Sequence, residues 1–323
     1  MKKAIFIVPY FGKFPASFPA FLKSCENNLD FDWLLITDIK ENFDWPVNVK
    51  KVTMTFNELK EKIQSKFSFE ITLDTYQKLC DYKPAYGFIF KDYISNYKMW
   101  GYCDIDIVFG KINNFITTGI INNYDKVFNL GHFTLYKNSS EINELFMKKV
   151  NNRFWYKESF TNPEITVFDE VGNNLHNINT LFEYYNKKIY IQDCIFDVHP
   201  ESFFFSKDVY NNNTGNFFTK KYKKLMIIWY FGRLFEVSDR EKKELLYIHL
   251  QDRNMVVDPK IRSRKIYKII PNSIEPVKRN FSFDTGLTSE KSFKIHKDPN
   301  LYVYILPHKI VRLMERISKW TKK

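Results

Sequence analysis

Short apolar runs alternate with polar, turn-forming segments along the first half of the chain. Residues 3–10 form one such run, which is closed by a proline, and residues 31–38 form another, which ends on an acid. Continuous apolar runs of this length are typical of strands buried on both faces of a parallel sheet. Between them, residues 18–27 follow Ser17, a residue type that caps helices. This strand–helix–strand order predicts an α/β fold.

The same patterns predict further elements along the chain. We expect helices at 57–67 and 85–93, strands at 49–54, 127–136, 165–168, 188–193, 245–255, 265–270 and 302–306, and a turn or hairpin in the Asn-rich segment 210–216. The expected strand at 127–136 is interrupted by a glycine and a histidine.

Two aspartates, Asp104 and Asp106, stand one residue apart inside the apolar run 99–109. A carboxylate that leaves water loses several kcal/mol unless a positive charge compensates it. A divalent cation supplies that charge, and oxygen ligands suit Mg²⁺ or Mn²⁺. Side chains two residues apart in an extended segment point the same way, so both carboxylates are expected to face one ion where the strand ends. The alternative is a solvated turn with two surface acids, which the apolar flanks disfavour.

Other polar residues in apolar surroundings are further candidates. Lys83, beside a proline, is placed to neutralise a diphosphate, although it would also fit as a surface lysine. Asp169 and Glu170 follow an apolar stretch, and either is a candidate catalytic base, with a helix-capping pair as the alternative. His132 and His249 lie in apolar strand-like segments. His249 is a candidate metal ligand and His132 is a candidate substrate contact, and for each a hydrogen-bonded core histidine is the alternative.

The ends of the first two predicted strands are candidate ligand-binding positions. In doubly wound sheets, ligands bind beyond the carboxyl ends of the strands. Pro9, Tyr10 and Asp38 fall at those ends. Asp38 would also fit as a turn or helix-capping acid.

Composition excludes several classes of protein. The chain has 323 residues, 44% hydrophobic and 18% aromatic, which is too apolar for a disordered protein. Only 10 glycines are present and no glycine-rich phosphate loop occurs, which argues against Rossmann dehydrogenases and P-loop kinases. The four cysteines are far apart in the sequence, so neither a zinc cluster nor disulfides are predicted. Buried, reduced thiols are typical of a cytosolic protein. The net charge of +12 suggests an anionic partner, and without a nucleic-acid-binding motif no nucleic acid is expected.

The last sixteen residues, 308–323, have the pattern of a basic amphipathic helix, with an apolar stripe flanked by lysines and arginines. Such helices lie on anionic membranes, although a helix docked on the domain has the same pattern. No apolar stretch approaches the roughly 18–20 residues needed to span a bilayer. We therefore expect a cytoplasmic protein, with peripheral attachment to the inner face of the cell membrane as an open alternative.

Seven segments in this order resemble bacterial GT-A glycosyltransferase-like proteins of capsule and lipopolysaccharide biosynthesis, including a group long of unknown function. The segments are 5–10, 34–38, 80–84, 103–106, 131–133, 168–170 and 249–251. The resemblance implies a GT-A domain at 1–255, with a Rossmann-like mixed sheet flanked by helices. Residues 256–323 would form a basic extension that ends in the amphipathic helix.

The resemblance also implies ligands and roles. The cofactor would be Mn²⁺ or Mg²⁺ and the donor a nucleotide-sugar, expected to be UDP-linked. The metal ligands would be Asp104, Asp106 and His249. The donor-binding residues would be Pro9, Tyr10, Asp38, Lys83, Asp104 and His132.

The sequence therefore predicts a metal-dependent glycosyltransferase acting on a glycan or lipid-linked acceptor. If the enzyme inverts, Glu170 or Asp169 would deprotonate the acceptor. If it retains configuration, the leaving phosphate could serve instead. A metal-dependent nucleotidyltransferase and a non-catalytic, glycan-binding scaffold at the membrane surface are the alternatives.

Overall fold

The computed structural model describes residues 2–277 except 173, 201–203, 212, 223–224 and 239–241, and these residues form a mixed α/β structure. The predicted α/β class is confirmed. The chain divides into two compact units. The first unit comprises the described residues of Met1–Lys13, Cys25–Ile105 and Ile112–Asp193. The second comprises Phe14–Ser24, Asp106–Lys111 and the described residues from Cys194 onward.

The described strands, in chain order, are β1 Ala4–Pro9, β2 Phe31–Thr37, β3 Val49–Thr53, β4 Met99–Cys103, β5 Ile107–Phe109, β6 Lys126–Leu130, β7 Phe133–Lys137, β8 Ile189–Tyr190, β9 Ile195–Val198, β10 Ser206–Asn211, β11 Asn216–Lys221, β12 Leu225–Tyr230, β13 Arg233–Ser238, β14 Lys242–Leu245, β15 Tyr247–His249, β16 Val256–Val257, β17 Ile266–Ile270 and β18 Ser273–Pro276.

The described α-helices are α1 Phe18–Glu26, α2 Phe56–Gln64, α3 Leu79–Tyr82, α4 Tyr86–Ile89, α5 Lys91–Ile94, α6 Thr118–Asn123, α7 Ser140–Asn143, α8 Trp155–Phe160 and α9 Ile178–Tyr184. Short 3-10 helices occur at Tyr76–Lys78, Lys83–Ala85, Ile112–Asn114, Leu145–Met147 and Pro259–Ser263.

The first unit is built on a seven-stranded mixed sheet in the order β3-β2-β1-β4-β7-β6-β8. Strands β1 to β4 run parallel to one another, whereas β7 is antiparallel to both β4 and β6. Strand β2 is buried along its whole length, as its largely apolar pattern predicts, and its one acid, Asp32, is buried with it. Alternate side chains of β1, β2 and β4 pack with α2 and with the helices around α8 in one hydrophobic core.

The second unit contains two sheets. One has five strands in the order β11-β10-β9-β15-β5, and the other has six in the order β14-β13-β12-β17-β18-β16. Strand β15 runs parallel to β9 and antiparallel to β5. Buried side chains from both sheets share a hydrophobic cluster that includes Ile248 and Trp229. The hairpin predicted in the Asn-rich segment is confirmed as the turn between β10 and β11.

Several sequence-based predictions of elements are wrong in detail. The helix predicted at 85–93 is two four-residue helices separated by Phe90, whose φ of −107° and ψ of 28° are not helical. Residues 165–168 lie outside any strand. The late strand expected to run to residue 255 ends at His249. The break at Gly131 and His132 is the turn between two antiparallel strands, β6 and β7.

The predicted domain boundary at 255/256 stays a prediction. Strands on both sides of that position, β12 to β14 and β16 to β18, belong to the same six-stranded sheet. The strand expected at 302–306 and the amphipathic helix at 308–323 lie outside the described residues. Among the described residues, no helix has the length and apolar character needed to cross a bilayer.

Candidate functional site

The two aspartates of the Asp-x-Asp motif lie in a turn rather than in a strand. Strand β4 ends at Cys103, β5 begins at Ile107, and residues 104–106 connect them. The expectation that the two aspartates lie in an extended segment is therefore wrong. Asp104 belongs to the first unit and Asp106 to the second. We describe their surroundings as two clusters, each within its own unit.

The lysine cluster of the first unit consists of Lys83, Asp104, Gly131, Asp169 and Glu170. The Nζ atom of Lys83 lies 2.9 Å from Asp104 Oδ1 and 3.6 Å from Asp169 Oδ2. The same ammonium group donates a hydrogen bond to the carbonyl of Gly131 at 2.9 Å. One lysine therefore contacts two acids that the sequence singles out.

The β6–β7 turn brings the remaining members of the lysine cluster together. The amide of Gly131 donates to Glu170 Oε2 at 2.8 Å. A Cβ atom on Gly131 would lie 2.7 Å from Asp169 Oδ2 and 2.8 Å from Glu170 Oε2, so a side chain here would collide with both carboxylates. The next residue, His132, accepts a hydrogen bond at its carbonyl from the Asp104 amide at 3.0 Å. The glycine thus permits the close approach of the acids.

The pKa values of Lys83 and Asp169 in the lysine cluster are both raised. Burial opposes the charge of Lys83, but Asp104 and Asp169 outweigh it and raise the pKa of the lysine well above its ordinary value. Burial raises the pKa of Asp169 to about 7, with Lys83 opposing the rise and Glu170 adding to it. A carboxyl group that titrates near neutral pH is suited to proton transfer at that pH.

The histidine cluster of the second unit consists of Asp106, Asp197, His249 and Gln251. Strand β15 lies between β5 and β9, and His249 is paired directly with Asp197 across the parallel β9–β15 ladder. The imidazole Nδ1 lies 2.8 Å from Asp197 Oδ1. The Nε2 atom lies 3.4 Å from Asp106 Oδ1. One imidazole therefore lies between two carboxylates.

Further hydrogen bonds fix the two acids of the histidine cluster. Gln251 Nε2 donates to Asp197 Oδ1 at 2.9 Å. The amide of Asp252 donates to Asp106 Oδ2 at 2.6 Å. Gln251 and Asp252 both have left-handed backbones, with φ of 52° and 54°. This turn directs the amide of Asp252 toward the carboxylate of Asp106.

The histidine cluster is buried and strongly charged. Burial opposes charge on His249, but Asp106 and Asp197 outweigh it and raise the pKa of the imidazole well above its ordinary value. Burial would raise the pKa of Asp106, yet the neighbouring imidazolium lowers it to about 2. The cluster therefore favours a positive charge between its acids, which a proton or a metal ion can supply.

The donor set of the histidine cluster fits a divalent metal. Imidazole nitrogen and carboxylate oxygen are ligands for Mn²⁺ and related ions. A metal-ligating histidine usually donates its other ring N–H to a carboxylate or a carbonyl, as Nδ1 of His249 can to Asp197. Nε2 of His249 and Oδ1 of Asp106 are then the atoms suited to hold an ion.

The chain matches the model of a known protein family. Residues 6–278 match DUF6625, a family of unknown function. The chain belongs to the DUF6625 family. No curated protein matches the chain. The matched span of this DUF6625 protein includes every residue of both clusters.

The structure places the predicted nucleotide-binding residues of this DUF6625 protein at the carboxyl ends of neighbouring strands. Pro9 ends β1, and Asp38 follows β2 directly and is exposed. The amide of Tyr10 donates to Ile36 O at 2.9 Å, and its hydroxyl donates to Lys13 O at 2.9 Å. Their location agrees with the expectation, while their role in binding a nucleotide stays a prediction.

Sequence reasoning missed two acids that matter in this DUF6625 protein. Asp197 is a lone acid in the buried strand β9, Ile195–Val198. The same signal, a carboxylate in an apolar run, drew attention to the Asp-x-Asp motif and would have found it. Asp81 is the second, and it is fully buried beside Lys78. Its carboxylate also accepts from the amides of Thr166 and Phe168, which are distant in sequence.

Proposed function

We propose that this DUF6625 protein is a metal-dependent glycosyltransferase of GT-A type. It would transfer a sugar from a nucleotide-sugar, expected to be UDP-linked, to a glycan or lipid-linked acceptor in bacterial surface polysaccharide synthesis. The observation that carries the proposal is the 3.4 Å approach of His249 Nε2 to Asp106 Oδ1. The second aspartate of the motif and the late histidine were the residues expected to share an ion.

In this proposal Asp106 and His249 hold Mn²⁺ or Mg²⁺. The ion would supply positive charge against the diphosphate of the donor and of the leaving nucleoside diphosphate. Asp197 fixes the imidazole, and the Asp252 amide fixes the carboxylate of Asp106. Asp104 stays a predicted ligand because of its spacing from Asp106 in the sequence.

The role of Lys83 is to offset phosphate charge. A lysine that is held by two carboxylates and a carbonyl keeps its ammonium in one place, and it is charged at neutral pH. Charge that is fixed in position before the reaction stabilises the charge that develops in the transition state, usually the largest single catalytic contribution. Lys83 would contact the diphosphate as a point charge.

The role of Asp169 and Glu170 is proton transfer from the acceptor, if the enzyme inverts. Asp169 has a pKa near 7 and is buried, while Glu170 is partly exposed and is held by the Gly131 amide. Burial suits Asp169 to hold or relay a proton, and exposure suits Glu170 to meet an acceptor hydroxyl. If the enzyme retains configuration, the leaving phosphate takes this role and the pair orients the acceptor.

The arrangement of the first unit supports a GT-A-like fold. Strands β1 to β3 run parallel to one another, and antiparallel strands complete a mixed sheet. Pro9 and Asp38 lie at the carboxyl ends of the parallel strands β1 and β2. In α/β sheets, ligands bind beyond these carboxyl ends. We propose that the nucleoside of the donor lies there.

The test of the proposed function is product analysis with a panel of nucleotide-sugars, with and without Mn²⁺. Metal-dependent release of a nucleoside diphosphate supports the proposal. Release of pyrophosphate would indicate a nucleotidyltransferase, and no turnover of any donor would favour a non-catalytic scaffold. Asp92→Asn, at an exposed acid, is the control for the substitution Asp106→Asn, and it is expected to release nucleoside diphosphate as the natural protein does.

Peripheral membrane association belongs to the proposal as well. Deleting residues 308–323 is expected to abolish co-sedimentation with anionic liposomes and to spare donor hydrolysis in solution. Each Lys or Arg near an anionic surface contributes on the order of 1 kcal/mol, and salt screens this attraction over about 8–10 Å. Unchanged sedimentation with a large fall in melting temperature would show a docked helix instead.

A further inference from the structure

The ion pair of Lys78 and Asp81 is buried in the first unit. Lys78 Nζ lies 2.6 Å from Asp81 Oδ2, and the side chains are 2% and 0% exposed. Removing both charges from water is costly unless additional hydrogen bonds satisfy the remaining donors and acceptors. The partners of those atoms therefore indicate what the pair stabilises.

The pair directs its remaining polar atoms to the segment from the end of α8 through the loop 164–168. Asp81 Oδ2 accepts from the amide of Thr166, and Oδ1 accepts from the amide of Phe168, both at 2.9 Å. Lys78 donates to the carbonyls of Ser159 and Glu164. Both side chains thus hold the loop 164–168 through its backbone.

This loop has a backbone that needs support. Val167, between the two amides that Asp81 holds, has a φ of 56°. A β-branched residue in the left-handed region is a genuine outlier, and its backbone is strained. It persists only where the surroundings enforce it, and the carboxylate of Asp81 does so.

The loop leads directly into the acids of the lysine cluster. Asp169 follows Phe168, and its carbonyl accepts from the Tyr102 hydroxyl at 3.1 Å. The side chains of Asp169 and Glu170 both approach the Cα of Gly131, where a Cβ would lie within 3 Å of each carboxylate. A change in the backbone at 166–168 would therefore move both acids.

We propose that Lys78 and Asp81 are positioning residues, which fix the loop 164–168 so that Asp169 and Glu170 lie against Gly131 in the geometry that the reaction needs. The inference rests on the proposed function for its catalytic part, while the structural part stands without it. Neither residue is placed to touch the substrate, because the side chains of both are buried and their charges are paired.

The structural part is tested by amide hydrogen exchange. In the natural protein the amides of Thr166 and Phe168 are expected to exchange as slowly as core strand amides, although they lie in a loop. In Asp81→Asn or Lys78→Met the 164–171 segment is expected to exchange more than about tenfold faster, while strand β7 keeps its protection. The matched control is Asp74→Asn, which breaks the exposed pair of Lys60 and Asp74 at 2.8 Å.

Fast exchange of Thr166 and Phe168 in the natural protein would overturn the inference, even if neither variant folds. Unchanged exchange at 164–171 in a folded Asp81→Asn protein would overturn it as well. Both results are independent of any catalytic activity. If the segment loosens but the natural protein turns over no donor, the proposed function fails and the structural clamp stands.

The catalytic part is tested by the kinetics of Asp81→Asn. A misplacement of about 1 Å can cost about 10²-fold, so kcat is expected to fall strongly with little change in the donor KM. The titratable groups that interact electrostatically with the Asp169 carboxyl include Lys83, Asp104, Glu170, Lys126, Cys80, Asp81, Tyr86, Tyr102 and Tyr136. An Asp81 oxygen lies within 4.8 Å of an Asp169 oxygen, so removing its charge should also move the acidic limb of the kcat profile to lower pH. A fall in kcat that only tracks the folded fraction, with an unmoved limb, would contradict the positioning role.

Discussion

In the lysine cluster, buried and half-buried carboxylates are compensated by an ammonium group of the chain itself, whereas in the histidine cluster two carboxylates share one imidazole. Lys83 contacts Asp104 and Asp169 and is charged at neutral pH. His249 contacts Asp106 and Asp197, and it carries a positive charge only while a proton is bound. The first cluster thus contains its own permanent cation, and the second can exchange a proton for a metal ion. Under the proposed function, the lysine cluster would supply fixed charge and proton transfer, and the histidine cluster would bind the metal.

The largest expected effect is that of Asp106→Asn, which removes an anionic ligand from the histidine cluster. We expect kcat to fall by at least about 10²–10³-fold with the fold retained, because an ion held by fewer anionic ligands stabilises developing charge less well. Circular dichroism and nucleoside diphosphate release measure the two effects. Near-normal turnover at saturating donor would contradict the proposal that the histidine cluster binds the catalytic metal.

A second large effect is expected from Gly131→Ala in the lysine cluster. The added methyl group would lie 2.7 Å from Asp169 Oδ2 and 2.8 Å from Glu170 Oε2, so both acids must move. We expect a loss of about 10²-fold in kcat, with metal affinity unchanged. The matched control is Gly172→Ala, because no atom lies within 4 Å of a Cβ there. Equal effects of the two variants would contradict the account.

A smaller effect is expected from His249→Ala, and it is measured as the dependence of activity on the Mn²⁺ concentration. The variant should need more than about tenfold higher Mn²⁺ for half-maximal activity, and excess Mn²⁺ should restore part of the rate. The control is His199→Ala, since His199 Nδ1 lies 2.9 Å from Asp208 Oδ2 in a similar pair. Unfolding of the first variant alone would assign His249 to the core instead.

The smallest expected effect is on the pH dependence of stability. The pKa of Asp169 is raised to about 7 in the folded protein, above its unfolded value of about 3.9. The folded state therefore binds the proton more tightly, and Asp169 makes the protein less stable as pH rises from about 4 to about 7. Asp169→Asn should flatten this part of a plot of unfolding free energy against pH. An unchanged slope would show that the carboxyl is ionised throughout.

The elements that sequence predicted best are those whose signal is local. The strands β1 and β2 are continuous apolar runs, and the β10–β11 hairpin follows from its asparagines and Gly215. The loop at 165–168 was mistaken for a strand because its conformation is set by Asp81, a residue distant in sequence. No local pattern carries that information.

The Asp-x-Asp motif shows the same limit within the candidate site. The run 99–109 looks like one strand, but β4 pairs with β7 and β5 pairs with β15, so the chain turns at residues 104–106. The approach of His249 to Asp106 was expected from the resemblance to GT-A glycosyltransferase-like proteins, which implies that a late histidine completes the metal site of the paired acids. The role of Asp197 was missed because its strand neighbour, His249, is fixed only by the β9–β15 pairing.

The most direct measurement of the central claim is the anomalous diffraction of Mn²⁺ in crystals grown with the ion and a nucleoside diphosphate. The account predicts a peak within bonding distance of His249 Nε2 and of an Asp106 oxygen, which is lost in the His249→Ala protein and kept in the His199→Ala protein. A peak at Asp81 and Asp169 instead, or a well-ordered His249 with no metal beside it at saturating Mn²⁺, would contradict the assignment of metal binding to the histidine cluster.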